Sequence, residues 1–122
     1  MNNSYLYQNF IIEILYEDND IAILNKPSGL LTHRKNLSDE SPSLSESLKI
    51  NFDIKDDEVL KEGIVHRLDI DTSGIIIIAK NKEIKILFQN KFKNRELEKN
   101  YLAFSYGALD QNFIQINKNI SR

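Results

Sequence analysis

The sequence predicts an α+β domain: a mixed, mostly antiparallel sheet with at least two flanking helices. Three observations carry that expectation. Two apolar runs, Phe10–Tyr16 and Asp20–Asn25, stand on either side of the polar turn Glu17-Asp18-Asn19, as in two strands joined by a hairpin. Four consecutive isoleucines, Ile75 to Ile78, read as a buried strand. Two further segments open with a helix-capping side chain and continue with apolar residues spaced three or four apart.

Taken in order, Met1–Asn9 reads as an amino-terminal tail, and the domain is expected to occupy residues 10–122. The tail has no basic cluster leading into an apolar core, and no apolar run approaches the length of a membrane span, so neither secretion nor insertion is expected. After the hairpin, Asn25-Lys26-Pro27-Ser28-Gly29 must turn, because Pro27 lacks a backbone donor and Gly29 permits positive φ. Lys26 reads either as an exposed turn residue or as a phosphate contact. Leu30–His33 looks like a short strand, and the serine-rich stretch 34–42 like a surface loop. Ser43 with Glu46 forms a capping box, and Leu44, Leu48 and Phe52 give the following helix its apolar stripe. Residues 53–62 return to loop.

The Ile75–Ala79 strand is apolar on both faces and is expected to lie centrally, covered on either side. Asn81 then caps a second helix, with Ile84, Leu87, Phe88 and Phe92 facing the core and Asn94-Arg95 ending it. Lys99–Tyr106 alternates as a strand does before Gly107, and Phe113–Ile116 reads as a last strand.

Composition narrows the function. At 122 residues one domain is expected, and 41% hydrophobic with 28% charged residues belongs to a soluble globular chain. No cysteine means no disulfide and no thiolate metal site, and the two histidines stand in unrelated contexts, so no metal is expected and a reducing, cytoplasmic setting fits. The net charge of −2 conceals an asymmetry: residues 80–101 hold seven lysines and arginines against three glutamates. Such a run is either a solvated helix face or a surface that meets phosphate.

The polar residues packed between apolar runs at 63–74, Gly-Ile-Val-His66-Arg67-Leu-Asp69-Ile-Asp71-Thr72-Ser73-Gly74, are the candidate site. Asp69 and Asp71 are two positions apart, Thr72 and Ser73 can bond neighbouring backbone, and Gly74 admits a conformation that a side chain would forbid. By spacing alone this is a turn rich in capping residues or a loop built to hold chemistry. A magnesium site on Asp69 and Asp71 is a weaker reading, since it leaves Arg67 unexplained.

Three separated motifs give the sequence a resemblance to the RluA family of pseudouridine synthases. Asn25-Lys26-Pro27-Ser28-Gly29-Leu30 resembles the family's Asn-Lys-Pro-x-Gly-Leu segment. His66 to Gly74 match each fixed position of His-Arg-Leu-Asp-x-x-Thr-Ser-Gly, and Arg95, Lys99 and Tyr101 match Arg-x-x-x-Lys-x-Tyr. The resemblance implies isomerisation of uridine in ribosomal or transfer RNA, without metal or organic cofactor. It implies Asp69 as nucleophile and Tyr101 as the residue that packs on the base and serves proton transfer. Arg67 would enter the space of a flipped-out nucleotide, Lys26 and Lys99 would contact RNA or support the structure, and His66, Thr72, Ser73 and Gly74 would shape the loop.

The departures are equally specific. Family members continue into a Thr-Gly-Arg-Thr-His-Gln-Ile-Arg-type motif whose arginine pairs with the aspartate, and nothing in Gln111–Arg122 resembles it. Position 70 is Ile where a basic residue is common, and the small RNA-binding domain that many relatives carry is not expected before Phe10. The chain is therefore expected to be the amino-terminal part of a catalytic domain. The rival expectation is a catalytically inactive RNA-binding remnant.

Overall fold

A computed structural model describes residues 3–52, 54 and 63–121. The expected loop at 53–62 lies outside the described residues except for Ile54. Four strands, β1 (Asn3–Tyr7), β2 (Phe10–Glu17), β3 (Ile21–Lys26) and β4 (Gly74–Ala79), pair antiparallel in the order β1-β2-β3-β4. Two helices, α1 (Leu44–Asn51) and α2 (Lys82–Lys93), complete the regular structure among the described residues. The α+β architecture read from the sequence is the one observed.

Alternation decides which side of the sheet is buried. Ile12 of β2, Ala22 and Leu24 of β3, and Ile76 and Ile78 of β4 point to one face, where Leu44, Leu48 and Phe52 of the α1 segment meet them. Each of the leucines and isoleucines among them contributes about 1.5–3 kcal/mol by burial. Tyr5 joins this face from β1, its ring 5.8 Å from that of Phe52 at 76° and its hydroxyl 3.1 Å from Ser47 Oγ. Burial pushes the Tyr5 phenol up to about 12, with the Ser47 hydrogen bond acting the other way.

Both helix starts are as expected. Ser43 Oγ accepts the Glu46 amide and Asn81 Oδ1 accepts that of Ile84, satisfying amides that have no partner within the helix. Asn94 closes α2, and Arg95 follows with φ 57°.

Several expectations are corrected. Asn3–Tyr7 is a strand and not a tail: a two-residue turn at Gln8-Asn9 folds it onto β2, with Tyr7 opposite Phe10 and Asn3 opposite Ile14. Its alternation, Tyr5 and Tyr7 inward and Leu6 outward, is what the pairing selects. Leu30–His33 contributes only an isolated parallel bridge, Leu31 to Ser43. Lys99–Tyr106 and Phe113–Ile116 are irregular and exposed, because no described strand supplies their hydrogen-bonding partners.

β4 is the last strand of the sheet and not a central one, and Ile75 on its outer face is 62% exposed. Its free edge is partly covered by Gly63-Ile64: Ile64 bridges Ile78, and the Gly63 carbonyl accepts the Ala79 amide. Gly63 has to be glycine for space, since a Cβ would stand 2.5 Å from the Ala79 carbonyl oxygen.

Candidate active site

Register brings the first two motifs together. β3 ends at Lys26 and β4 begins at Gly74, and these two residues pair directly across the sheet. The chain that leaves after Lys26 therefore lies beside the chain that returns before Gly74. Between them run five hydrogen bonds. Thr32, buried, donates through Oγ1 to the Leu68 carbonyl (2.7 Å) and accepts the Leu68 amide (3.2 Å). The Gly29 amide and Lys26 Nζ both donate to the Ile70 carbonyl, at 2.7 and 3.3 Å. Ser28 Oγ donates to the Asp71 carbonyl at 2.8 Å. Within the returning stretch of chain, the Thr72 amide closes a turn onto the Asp69 carbonyl at 3.1 Å.

The consequence is a fixed turn with its reactive groups outward. Leu68 is buried between exposed Arg67 and exposed Asp69, so alternation presents both polar side chains to solvent. Gly74, where the chain enters β4, has φ 135° with open space around its missing Cβ. Its requirement is conformational.

His66 stands behind the turn. Its Nε2 accepts the Ile77 amide at 3.0 Å, which places the ring proton on Nδ1, and its ring lies 4.6 Å from that of Phe92 on α2. Burial lowers the imidazole to about 4, and the neighbouring Lys99 charge adds to the effect.

An open cleft of about 760 Å³ is lined by His66, Asp71, Thr72, Ser73 and Gly74 on one side and by Lys99, Tyr101 and Phe104 on the other. Four of the loop-shaping residues named from the sequence thus meet Lys99 and Tyr101 there. Asp69 and Arg67 are not among the lining residues; they sit on the adjoining turn. Lys99 Nζ lies 5.9 Å from the Phe92 ring centroid, a cation over an aromatic face.

Of the two readings of Lys26, the geometry excludes an exposed turn residue and corrects the RNA contact. The side chain is 0% exposed, and Nζ donates to the carbonyls of Leu30 (2.7 Å), Pro27 (3.1 Å) and Ile70 (3.3 Å). Burial lowers its pKa, opposed by the charges of Asp71 and Asp69. Lys26 is a post under the turn.

A family profile described as RNA pseudouridylate synthase matches residues 20–122. The chain belongs to that family. It is 38% identical to the ribosomal large subunit pseudouridine synthase D of Borreliella burgdorferi, over 93% of this chain and 36% of that protein. An uncharacterised RNA pseudouridine synthase of Mycoplasma genitalium is also 38% identical, with 83% of this chain and 32% of that protein covered. Among solved structures, human RNA pseudouridylate synthase domain containing 4 superposes with a TM-score of 0.51 at 26% identity, covering 68% of this chain and 30% of that one. The chain spans about a third of the length of these relatives.

Within the family's fold, the two motifs are one interlocked unit. Thr32 and Ser28, which the sequence reading did not single out, supply three of its five bonds. Ser28 carried a signal, because it lies inside the first motif; Thr32 carried none locally. The basic segment 80–101 divides. Lys80 Nζ is held by Glu17 and the Asp18 carbonyl, and Lys91 by Glu96, while Lys99 reaches the cleft.

His66 gives a pH prediction. Its folded pKa of about 4 lies below the ordinary 6.5, so between those values the unfolded chain binds a proton that the folded chain refuses. Its contribution to stability is complete above pH 6.5, is lost as pH falls towards 4, and changes no further below. Histidine-selective NMR should show a titration midpoint near 4. A midpoint near 6.5 would show that the ring is not held neutral by its burial.

Proposed function

We propose that the protein carrying this chain isomerises uridine to pseudouridine in structured ribosomal or transfer RNA, and that residues 10–122, with the Asn3–Tyr7 strand paired onto them, are the amino-terminal portion of its catalytic domain. The observation that supports this most is the turn that holds Asp69 outward beside a cleft containing Tyr101, braced by hydrogen bonds from a second motif.

The reaction breaks the bond between ribose C1′ and uracil N1 and forms one from C1′ to C5, with the C5 proton passing to solvent and a proton returning to N1. Atoms balance without oxidant, reductant or co-substrate. Asp69 serves as nucleophile, towards the sugar or the uracil ring, so that the base is held while it rotates. Tyr101 packs on the base and serves proton transfer at C5. Arg67 takes the space that the extruded nucleotide leaves, its planar guanidinium suited to stacking while its charge faces phosphate. Lys99 contacts the RNA backbone at the cleft rim, and His66, Thr72, Ser73 and Gly74 shape the site. A cytoplasmic setting fits this substrate.

A second reading has its own observation. Among the described residues no arginine pairs with Asp69. The alternative is a catalytically inactive RNA-binding remnant, in which a carboxylate without a cation would lack orientation and charge balance. Release of tritium from RNA whose uridines are labelled at carbon 5 separates the readings. The enzyme releases tritium in proportion to pseudouridine formed, and the remnant binds the RNA and releases none.

A further inference from the structure

The turn that carries Asp69 also contributes Ile70 to a second hollow. A polar cleft of about 450 Å³ is lined by Leu31 and Ile70 together with Lys35, Asn36, Ser38, Asp39 and Ser41 from the loop before α1. Its size is within the range of pockets that take small organic groups, roughly 300–1,000 Å³. Ile70, the residue next to Asp69, is 44% exposed and with Leu31 provides apolar surface, while the rest of the lining is hydroxyl, amide and charge.

The loop is braced internally in a way that consumes the carboxylate lining this cleft. Asp39 accepts the amides of Lys35 (3.2 Å) and Ser41 (3.0 Å), and hydrogen bonds from Ser41 and Lys35 hold its carboxyl down at about 2. Asn36 Oδ1 accepts both the amide and the hydroxyl of Ser38, and Arg34 Nε donates to the Ser41 carbonyl. Lys35 is exposed at this rim. The hydroxyls and the amide oxygen are engaged within the loop, which leaves an apolar patch suited to a base and an ammonium suited to a phosphate, two parts of one nucleotide.

We propose that the Leu31–Ile70 cleft seats the nucleotide adjacent to the one that enters the cleft lined by Tyr101 and Phe104, with Lys35 on its phosphate and Ile70 against its base. The inference rests on the RNA reading above and adds a subsite to it. A strand crossing the exposed turn passes the carboxylates of Asp69 and Asp71, so a cation beyond the turn offsets a repulsion that the strand otherwise meets.

The test is fluorescence anisotropy of the full chain with a fluorescein-labelled RNA hairpin carrying uridines in its loop, over a salt series. Lys35→Ala should bind about three- to tenfold more weakly, with a salt slope shallower by about one, the signature of one lost phosphate contact. Ile70→Ala should also weaken binding, but with the slope unchanged, because an apolar contact releases no counterion. Lys118→Ala, exposed and outside both clefts, is the control and should match the unmodified chain. If Lys35→Ala behaves like Lys118→Ala, or Ile70→Ala binds at full strength, the subsite is overturned while the RNA reading stands. If the unmodified chain does not bind the hairpin, the subsite is overturned, and the tritium-release assay on the protein carrying this chain decides the RNA reading separately.

Discussion

Asp69→Asn is expected to reduce pseudouridine formation by at least about a thousandfold while leaving RNA affinity within a few-fold of the unmodified protein. The reasoning is geometric as well as chemical. The Asp69 side chain is exposed at the tip of the turn, and the turn is held by backbone carbonyls at Leu68, Ile70 and Asp71, with its own closing bond through the Asp69 carbonyl. Asparagine leaves every one of those bonds in place, so the fold persists and only the proposed nucleophile is lost. Tritium release reports turnover and anisotropy reports binding on the same protein. Residual turnover near the original rate would remove Asp69 from the nucleophile's role, and a parallel collapse of RNA affinity would show that it contributes to ground-state binding instead.

The site and the fold were legible in the sequence to different degrees, and particular residues show why. Ser43 with Glu46 and Asn81 announced the helix starts because capping is a local interaction within three residues. β2, β3 and β4 were read to within a residue or two of their ends because buried alternation is also local. Strand pairing is not. Asn3–Tyr7 has an undistinguished composition and becomes a strand by folding back on β2, whereas Lys99–Tyr106 alternates well and has no described partner. The same limit hid Thr32, whose hydroxyl meets a backbone that lies 36 residues away in sequence. Lys26 carried a signal that the turn residues Pro27 and Gly29 beside it masked. It continues the inward alternation of Ala22 and Leu24, and that period alone points its side chain into the core.

Lys26→Met is expected to destabilise the fold by about 2–4 kcal/mol and to loosen the turn bearing Asp69. A buried charge is not stabilising in itself, and exchanging a complete buried ion pair for apolar groups is often neutral. Here only one side of the interaction can be exchanged. The three acceptors are the backbone carbonyls of Pro27, Leu30 and Ile70, which match the three donors of an ammonium and remain in place when the donor is removed. The Leu30 carbonyl, in a buried bond at 2.7 Å, would bear the largest penalty, while that of Ile70 keeps the Gly29 amide. Methionine fills much of the lysine stem's volume, so the loss reports hydrogen bonds more than cavity. Urea unfolding measures the stability, and hydrogen exchange at the Leu68 and Thr72 amides measures the turn, because both amides are bonded within the braced unit. Faster exchange at those two positions than in β2, together with the loss of stability, would place Lys26 as the post beneath the turn that bears Asp69. A variant as stable as the original, with both amides still protected, would mean that the remaining four bonds between the motifs suffice and that the buried amine holds nothing up.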